Sequence, residues 1–286
     1  MEKRLINVEH NVKGTLFLVG TPIGNLKDIT LRALDTLKEV DIIAAEDTRH
    51  TQKLLNHYSI QKSVTSYYEH NKLSKGPVLI DKLCQGKNIA LVSDAGMPGI
   101  SDPGYELVKE CVKQQITITV IPGPSALITG VVASGLDCSG FVFAGFFPRQ
   151  GKDRKKTFDS LERERRTLIF YESPHRLCQT LLDIKVAWGD RQCCVARELT
   201  KVFEEYQRGT LSEVIAKFEG KKIKGEITII VEGMSEEGKK EMSLEEIQKY
   251  YAMLLKKGFS TKDALKEIAQ MMGISKREIY NKIMIK

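Results

Sequence analysis

No cysteine pair in this chain has a CxxC spacing: the six cysteines, at 84, 111, 138, 178, 193 and 194, are scattered through 286 residues. A thiolate zinc knuckle and a dithiol redox motif are therefore excluded, and the apolar surroundings of Cys193-Cys194 read as reduced, buried thiols. No ligand cluster calls for a metal. The GxGxxG fingerprint of dinucleotide sites and the GxxxxGK[ST] loop of nucleoside triphosphatases are missing too, which leaves hydride transfer and ATP hydrolysis unsupported. Met1-Glu2-Lys3-Arg4 opens no apolar signal region. The uncharged run from Gln114 to Leu136 has the length of a membrane span. Its Pro122-Gly123-Pro124 centre instead divides it into a β-rich stretch, Ile116 to Ile121, and a short helix of small residues. A soluble cytoplasmic protein with no membrane partner is expected. The formal charge of +7 suits an anionic partner without demanding one. The length accommodates two ordinary domains and an appendage.

What is present begins with strand and helix signals in alternation. Gly14 to Val19, Asp41 to Ala45, Val64 to Tyr67, Ile89 to Val92 and Ile116 to Ile121 read as strands. Thr30 is placed to cap a helix through Val40, and Thr48 to start one through Tyr58. Such alternation predicts a mostly parallel sheet covered by helices, with ligands beyond the carboxyl ends of its strands. Three glycine- or proline-rich loops fall at those ends: Gly20 to Leu26, Ser93 to Gly104, and Pro122 to Ala126. The middle one, SDAGMPGISDPG, is about twice as long as a usual strand-to-helix loop. Its glycines and prolines leave the backbone bare and stiff. Asp94, at the end of a buried strand, is suited to accept ribose hydroxyl hydrogen bonds. Asp102 reads as the N-cap of the following helix, with Pro103 at its first position.

In the second half, Phe141 to Phe147, Thr167 to Tyr171, Cys193 to Ala196 and Gly225 to Val231 read as strands. Arg149 to Arg166 carries eight basic and four acidic side chains. It fits either a solvated helix or an anion- or RNA-contacting segment. Ser173 and Pro174 read as the N-cap and first residue of a helix, which puts His175 and Arg176 at a helix mouth suited to phosphate. The charged stretch Arg197 to Tyr206 is a candidate active-site rim or a surface salt-bridge cluster. Glu232 to Glu241 reads as a linker. Beyond it come three helix signals, with caps at Ser243, Ser260 and Ser275 and turns at Gly258 and Gly273. One apolar face is Ile247, Tyr250, Tyr251, Leu254 and Leu255; the next is Ala264, Leu265, Ile268, Ala269 and Met272. From Lys239 to Lys286, eleven basic residues against six acidic ones supply +5 of the net charge. Nucleic-acid contact and simple bundle packing both explain this tail.

The blocks GTLFLVGTPIGNLKDIT, AAEDTR, SDAGMPGISDPG, IPGPSA, FYESPHR and ARELTK, in this order, closely resemble the ribosomal RNA small subunit methyltransferase I family. The likeness runs from about residue 14 to the linker, without departure inside the blocks, and the helical tail is similar to that family's small C-terminal domain. AAEDTR and YESPHR favour it over the tetrapyrrole methylases, which share its fold. The resemblance implies two α/β domains of the tetrapyrrole methylase type with a cleft between them, here 1–123 and 124–234, plus a helix-turn-helix-like domain at 243–286. It implies S-adenosylmethionine as methyl donor and the ribose 2′-hydroxyl of a cytidine in the 16S rRNA decoding centre, within the small ribosomal subunit, as acceptor. A homodimer is also implied. Carried over to this chain, the donor site comprises Pro22, Asp94, Gly96, Met97, Gly99, Ser125, Ala126, Tyr171, Gly225, Glu226 and Ile227.

Methyl transfer is an in-line displacement, so orienting the reactants carries much of the barrier, roughly 7–11 kcal/mol. A nearby proton acceptor adds about 10²–10⁴ in rate. Asp47, Glu172 and Glu198 are the candidate acceptors, and Arg49, His175, Arg176 and Lys201 the candidate RNA-positioning residues. A tetrapyrrole methylase acting on a macrocycle and a non-catalytic RNA-binding factor are the competing readings.

Overall fold

The computed structural model describes residues 12–149, 151–234, 244–256, 258–272 and 276–284. The Met1–Arg4 opening, the expected linker beyond 234, the caps at Ser243 and Ser275 and the turn at Gly273 lie outside these residues.

β1 (Thr15–Val19), β2 (Ile42–Ala45), β3 (Ser63–Ser66), β4 (Ile89–Val92) and β5 (Thr117–Ile121) form one sheet. Their order is β3-β2-β4-β1-β5, and every pairing is parallel. Strand side chains alternate between faces, and both faces are covered. Ile43, Ala45, Ala90 and Val92 pack under α1 (Leu31–Glu39) and α2 (Thr48–His57), through Ala33, Leu37, Leu54 and Leu55. Leu16, Ala44, Ile89 and Leu91 pack under α3 (Lys72–Cys84) and α4 (Tyr105–Lys113), through Leu79, Leu83, Leu107 and Cys111. Burial on two faces explains why β4 reads as an unbroken apolar run.

Caps set the helix starts. Thr30 accepts from the Ala33 amide at 3.1 Å, as its position suggests. α2 starts at Thr48 as expected, capped by Asp47, whose carboxylate accepts from the Arg49 amide at 2.8 Å. One expectation needs correction. α4 begins at Tyr105 with Gly104 at its N-cap and no side-chain cap, so Asp102 and Pro103 stand outside it. The Asp102 carboxyl lies instead beside the Ser93 hydroxyl.

The second sheet contains β6 (Phe141–Phe146), β7 (Thr167–Glu172), β8 (Gln192–Arg197), β9 (Glu205–Thr210) and β10 (Ile227–Val231). Its order is β6-β7-β10-β8-β9; β6 and β7 run parallel and the other pairs antiparallel. β10 is central and all five of its residues are buried. One face is covered by α5 (Ala126–Ser134), whose Val131 packs on Ile169, Cys194, Ala196 and Ile230. Ile23, from the first domain, joins this cluster and ties the two halves together. The other face carries α6 (Gly151–Leu161), α7 (Leu177–Trp188) and α8 (Leu211–Phe218) over Phe147, Phe158, Phe170 and Trp188. Phe147 stacks on Phe170 at 4.2 Å and on Phe158 at 4.9 Å. Ser173 and Pro174 do not begin a helix: residues 173–176 form a turn closed by the Arg176 amide on the Ser173 carbonyl at 3.1 Å, and α7 starts at Leu177.

α9 (Leu244–Lys256), α10 (Thr261–Met272) and α11 (Lys276–Met284) have a core of their own, built from Ile247, Leu254, Ala264, Leu265, Ile268, Ala269, Met272 and Ile279. Leu255, expected on the apolar face, is exposed. Gly258 ends α9 at φ 87°, its amide on the Leu255 carbonyl, and the Ser260 hydroxyl accepts from the Asp263 amide at 3.1 Å. No helix among the described residues is long and apolar enough to cross a membrane.

Candidate active site

The three glycine- and proline-rich loops meet because they leave adjacent parallel strands: β4, β1 and β5 are neighbours, and their carboxyl ends share one edge. Thr21 and Gly96 exchange backbone hydrogen bonds at 2.9 and 3.0 Å, knitting the first loop to the second. The first and third touch at Gly20 and Gly123, where a Cβ on Gly20 would sit 2.8 Å from the Gly123 Cα. Only glycine permits that approach.

Between this edge and the second domain lies a cavity of about 330 Å³. One wall is Ile23, Ala95, Gly96, Met97, Ile100, Ser101 and Asp102; Ser125 and Ala126 stand at the domain junction. The opposite wall is Phe146, Tyr171, Glu172, Ser173, Pro174, Leu199, Gly225, Glu226, Ile227 and Thr228. Thus Gly96, Met97, Ser125, Ala126, Tyr171, Gly225, Glu226 and Ile227 are brought together, whereas Pro22, Asp94 and Gly99 are not on the lining. Asp94 is engaged elsewhere: its Oδ1 accepts from the Asp47 amide at 2.9 Å. The lining mixes apolar surface with a few polar groups, which is the usual make-up of a small-molecule site.

The three acids expected as proton acceptors all have partners. Asp47 holds the Arg49 amide and guanidinium. Glu172, fully buried, pairs with Arg176 and accepts from the Ser173 amide and the Thr180 hydroxyl, each at 2.7 Å. Glu198 accepts from Lys201 at 2.8 Å and from the Glu226 amide at 3.0 Å. Burial pushes the Glu198 carboxyl up, but Lys201 and that amide outweigh it and leave the group below its ordinary value. Gly225 makes room for it: at φ 92°, a Cβ there would lie 2.3 Å from the Glu198 carboxyl carbon.

The acids without cationic neighbours are different ones. Burial pushes Asp102 up to about 6, Asp94 adding to the rise against the Ser93 hydroxyl. Burial, reinforced by Asp102, Asp94 and Asp47, pushes Glu46 up to about 7. Both stand at the carboxyl edge of the first sheet, after β2 and β4. Of the expected RNA-positioning residues, Arg49 is exposed and bound to Asp47, and Lys201 is held by Glu198 and by Glu226 at 3.0 Å. His175 and Arg176 line a separate hollow of about 430 Å³ with Arg149 and Arg154, the last paired with Asp183. The buried thiols of Cys193 and Cys194 are pushed up by burial to about 12 and about 11, which suits packing and not reactivity.

Residues 15–215 match the family model for tetrapyrrole (corrin/porphyrin) methylases. A ribosomal RNA small subunit methyltransferase I from Halalkalibacterium halodurans is 50% identical over 276 residues, covering 94% of each chain. The chain belongs to this methyltransferase family. A ribosomal RNA small subunit methyltransferase I from Thermotoga maritima is 52% identical over 220 residues, which are 77% of this chain and 99% of that relative. In fold, the chain is similar to a Thermus thermophilus uroporphyrin-III C-methyltransferase solved with S-adenyl homocysteine. That likeness has a TM-score of 0.56 at 17% identity, over 76% of this chain and 97% of that one.

Several lining residues of this family member escaped the sequence reading. Phe146 is one of a tandem pair in which alternation sends Phe147 into the core and leaves Phe146 exposed against Tyr171, ring centroids 5.7 Å apart. Thr228 follows the same logic in β10. Glu46, off the lining but beside Asp102, carried a weak signal, its place directly before Asp47 at the end of a buried strand.

Proposed function

We propose that this chain transfers a methyl group from S-adenosylmethionine to the ribose 2′-hydroxyl of a cytidine in the decoding centre of 16S rRNA. The observation that carries the reading is 50% identity over 94% of the chain to a relative named ribosomal RNA small subunit methyltransferase I, joined to a cavity whose make-up fits the donor. The bare backbone of Gly96 accepts a flat ring closely, and Met97, Ile23 and Ile227 supply apolar contact. When bound, the donor supplies an electrophilic methyl carbon on a positively charged sulfur.

The chain's own work is positioning. The knitted loops hold the first wall, and the Glu198–Lys201–Glu226 group holds the second. Asp47, Glu172 and Glu198 orient their neighbours, since each already accepts hydrogen bonds from them. Glu46 lies off the cavity lining but beside Asp102, which is on it, and this place together with an ionisation near neutral pH suits it to receive the hydroxyl proton. Phe146 offers an exposed ring on which an unstacked base of RNA can lie. Arg49, Arg149 and His175, with Arg176 behind them, would meet the RNA backbone, and Lys201 would border the cavity mouth.

The domain limits 1–123, 124–234 and 243–286 belong to this proposal. So do cytoplasmic location, a homodimer and the small subunit as the form of rRNA recognised. The helical domain is read as an rRNA-affinity element, given its basic excess and its separate core. The test is incubation with methyl-labelled donor and, in parallel, 30S subunits, naked 16S rRNA or a tetrapyrrole precursor. Label in 16S rRNA is the expected result; label confined to the macrocycle overturns it.

A further inference from the structure

Every charged side chain lining the cavity is an acid: Asp102, Glu172 and Glu226. Glu172 is paired with Arg176 and Glu226 with Lys201. Asp102 has no cationic partner among the described residues. Around it stand the Ser93 hydroxyl and Asp94 after β4, Glu46 after β2, and Tyr171 on β7 with Glu226 behind it. α5 contributes no charged side chain at all. One carboxyl is thus left half-buried in a cleft with only the Ser93 hydroxyl to favour its ionised form and no cation, and a buried charge of that kind calls for a counter-ion.

We propose that Asp102 is the cavity's counter-charge for a cationic donor, and that it makes the site hold the sulfonium donor more tightly than the neutral thioether product. This inference rests on S-adenosylmethionine being the donor. The donor carries one more positive charge than S-adenosylhomocysteine, and the two are otherwise nearly the same shape. A negative group on the wall therefore separates them by charge where packing cannot. With no cation present, burial favours the protonated carboxyl, whose midpoint lies at about 6. The incoming sulfonium reverses that preference, so donor binding in mildly acidic solution releases a proton. After transfer the positive charge has left the sulfur, the carboxylate faces a neutral thioether, and the product loses its advantage over fresh donor. The carboxylate favours the charged ground state and adds nothing to the transition state, in which the charge is disappearing. Its role is donor selection and product turnover.

The test is calorimetric titration of the full-length protein with S-adenosylmethionine, S-adenosylhomocysteine and an analogue bearing an amine in place of the S-methyl sulfonium, from pH 5 to pH 8. Between pH 8 and pH 5 the dissociation constants of both cations should rise by about fivefold, most of it below about pH 6, while that of the thioether changes by less than about twofold. Asp102→Asn should weaken the two cations by about tenfold at pH 7.5, leave the thioether near its original value and flatten the pH dependence. The wild-type profile does not depend on how the variant folds. If all three ligands bind but respond alike to pH and to the substitution, the role of Asp102 is overturned while the donor reading stands. A slower single turnover at unchanged donor affinity would also overturn it, marking Asp102 as the proton acceptor. Failure of all three to bind the wild type would overturn both readings.

Discussion

The uncompensated charge on Asp102 should be visible in the stability of the free protein. Burial moves this carboxyl from an ordinary value of 3.8 to about 6. Two units correspond to roughly 3 kcal/mol between the charged and neutral forms. Water reaching a side chain that is only half-buried reduces this to about 1–2 kcal/mol. The sign follows from the direction of the shift. A carboxyl raised in the folded state is easier to ionise in the unfolded chain. The penalty is therefore absent below about pH 3.8, grows between there and about 6, and is complete above. Asp102→Asn removes the charge while keeping a group that can meet the Ser93 hydroxyl. Its urea midpoint should exceed the wild type's by an amount worth about 1–2 kcal/mol at pH 8, and the gap should close by pH 4. Asparagine caps helices as well as aspartate does, so a capping role gives no difference at either pH. A variant that is no more stable at pH 8, or a gap that ignores pH, refutes the reasoning.

Other groups give equally direct outcomes. Arg176→Ala leaves the fully buried Glu172 carboxylate with one amide and one hydroxyl, and should cost about 3–5 kcal/mol in chemical denaturation; an unchanged midpoint would mean the pair is not held as described. Gly225→Ala forces a left-handed φ and a clash with Glu198, so it should destabilise by about 1–3 kcal/mol and weaken donor binding in a titration. Pairing it with Glu198→Ala should restore only the part due to the clash. If Glu46 accepts the proton, the single-turnover rate should fall as pH drops through about 7, and Glu46→Gln should lower the rate by about 10²–10⁴ and abolish that limb.

The first sheet was open to the sequence because its strands are short apolar runs separated by helix signals, and a parallel sheet buried on both faces needs that pattern. β4 is the clearest case, since all four of its residues are buried. The ligand edge was legible for the same reason, as Gly20, Gly96 and Gly123 punctuate strand ends where backbones must approach. β9, with the sequence EYQRGT, was not recognisable: an edge strand pairs on one side and can keep its polar residues in solvent. Side-chain partnerships were invisible altogether. Asp102, directly before Pro103 and three residues before the helical stretch that begins at Tyr105, has the local signature of a cap, and only the tertiary fold turns it toward Ser93 and the cavity. Conversely Glu172, Glu198 and Asp47 looked like free acids at strand ends until Arg176, Lys201 and Arg49 were found beside them. Charge in a sequence gives position along the chain; whether it is compensated is decided in three dimensions.

The most direct measurement is the position of the methyl group on the acceptor. Incubation of 30S subunits from cells lacking the modification with the protein and S-adenosylmethionine, followed by partial alkaline cleavage of the 16S rRNA, reads it at single-nucleotide resolution. A methyl on a ribose 2′-oxygen removes the nucleophile that alkali requires. The expected result is one new gap in the ladder, at a cytidine of the decoding centre, absent without donor. An unbroken ladder alongside methyl incorporation would mean the group had gone to a base, and no incorporation into rRNA at all would contradict the proposed function.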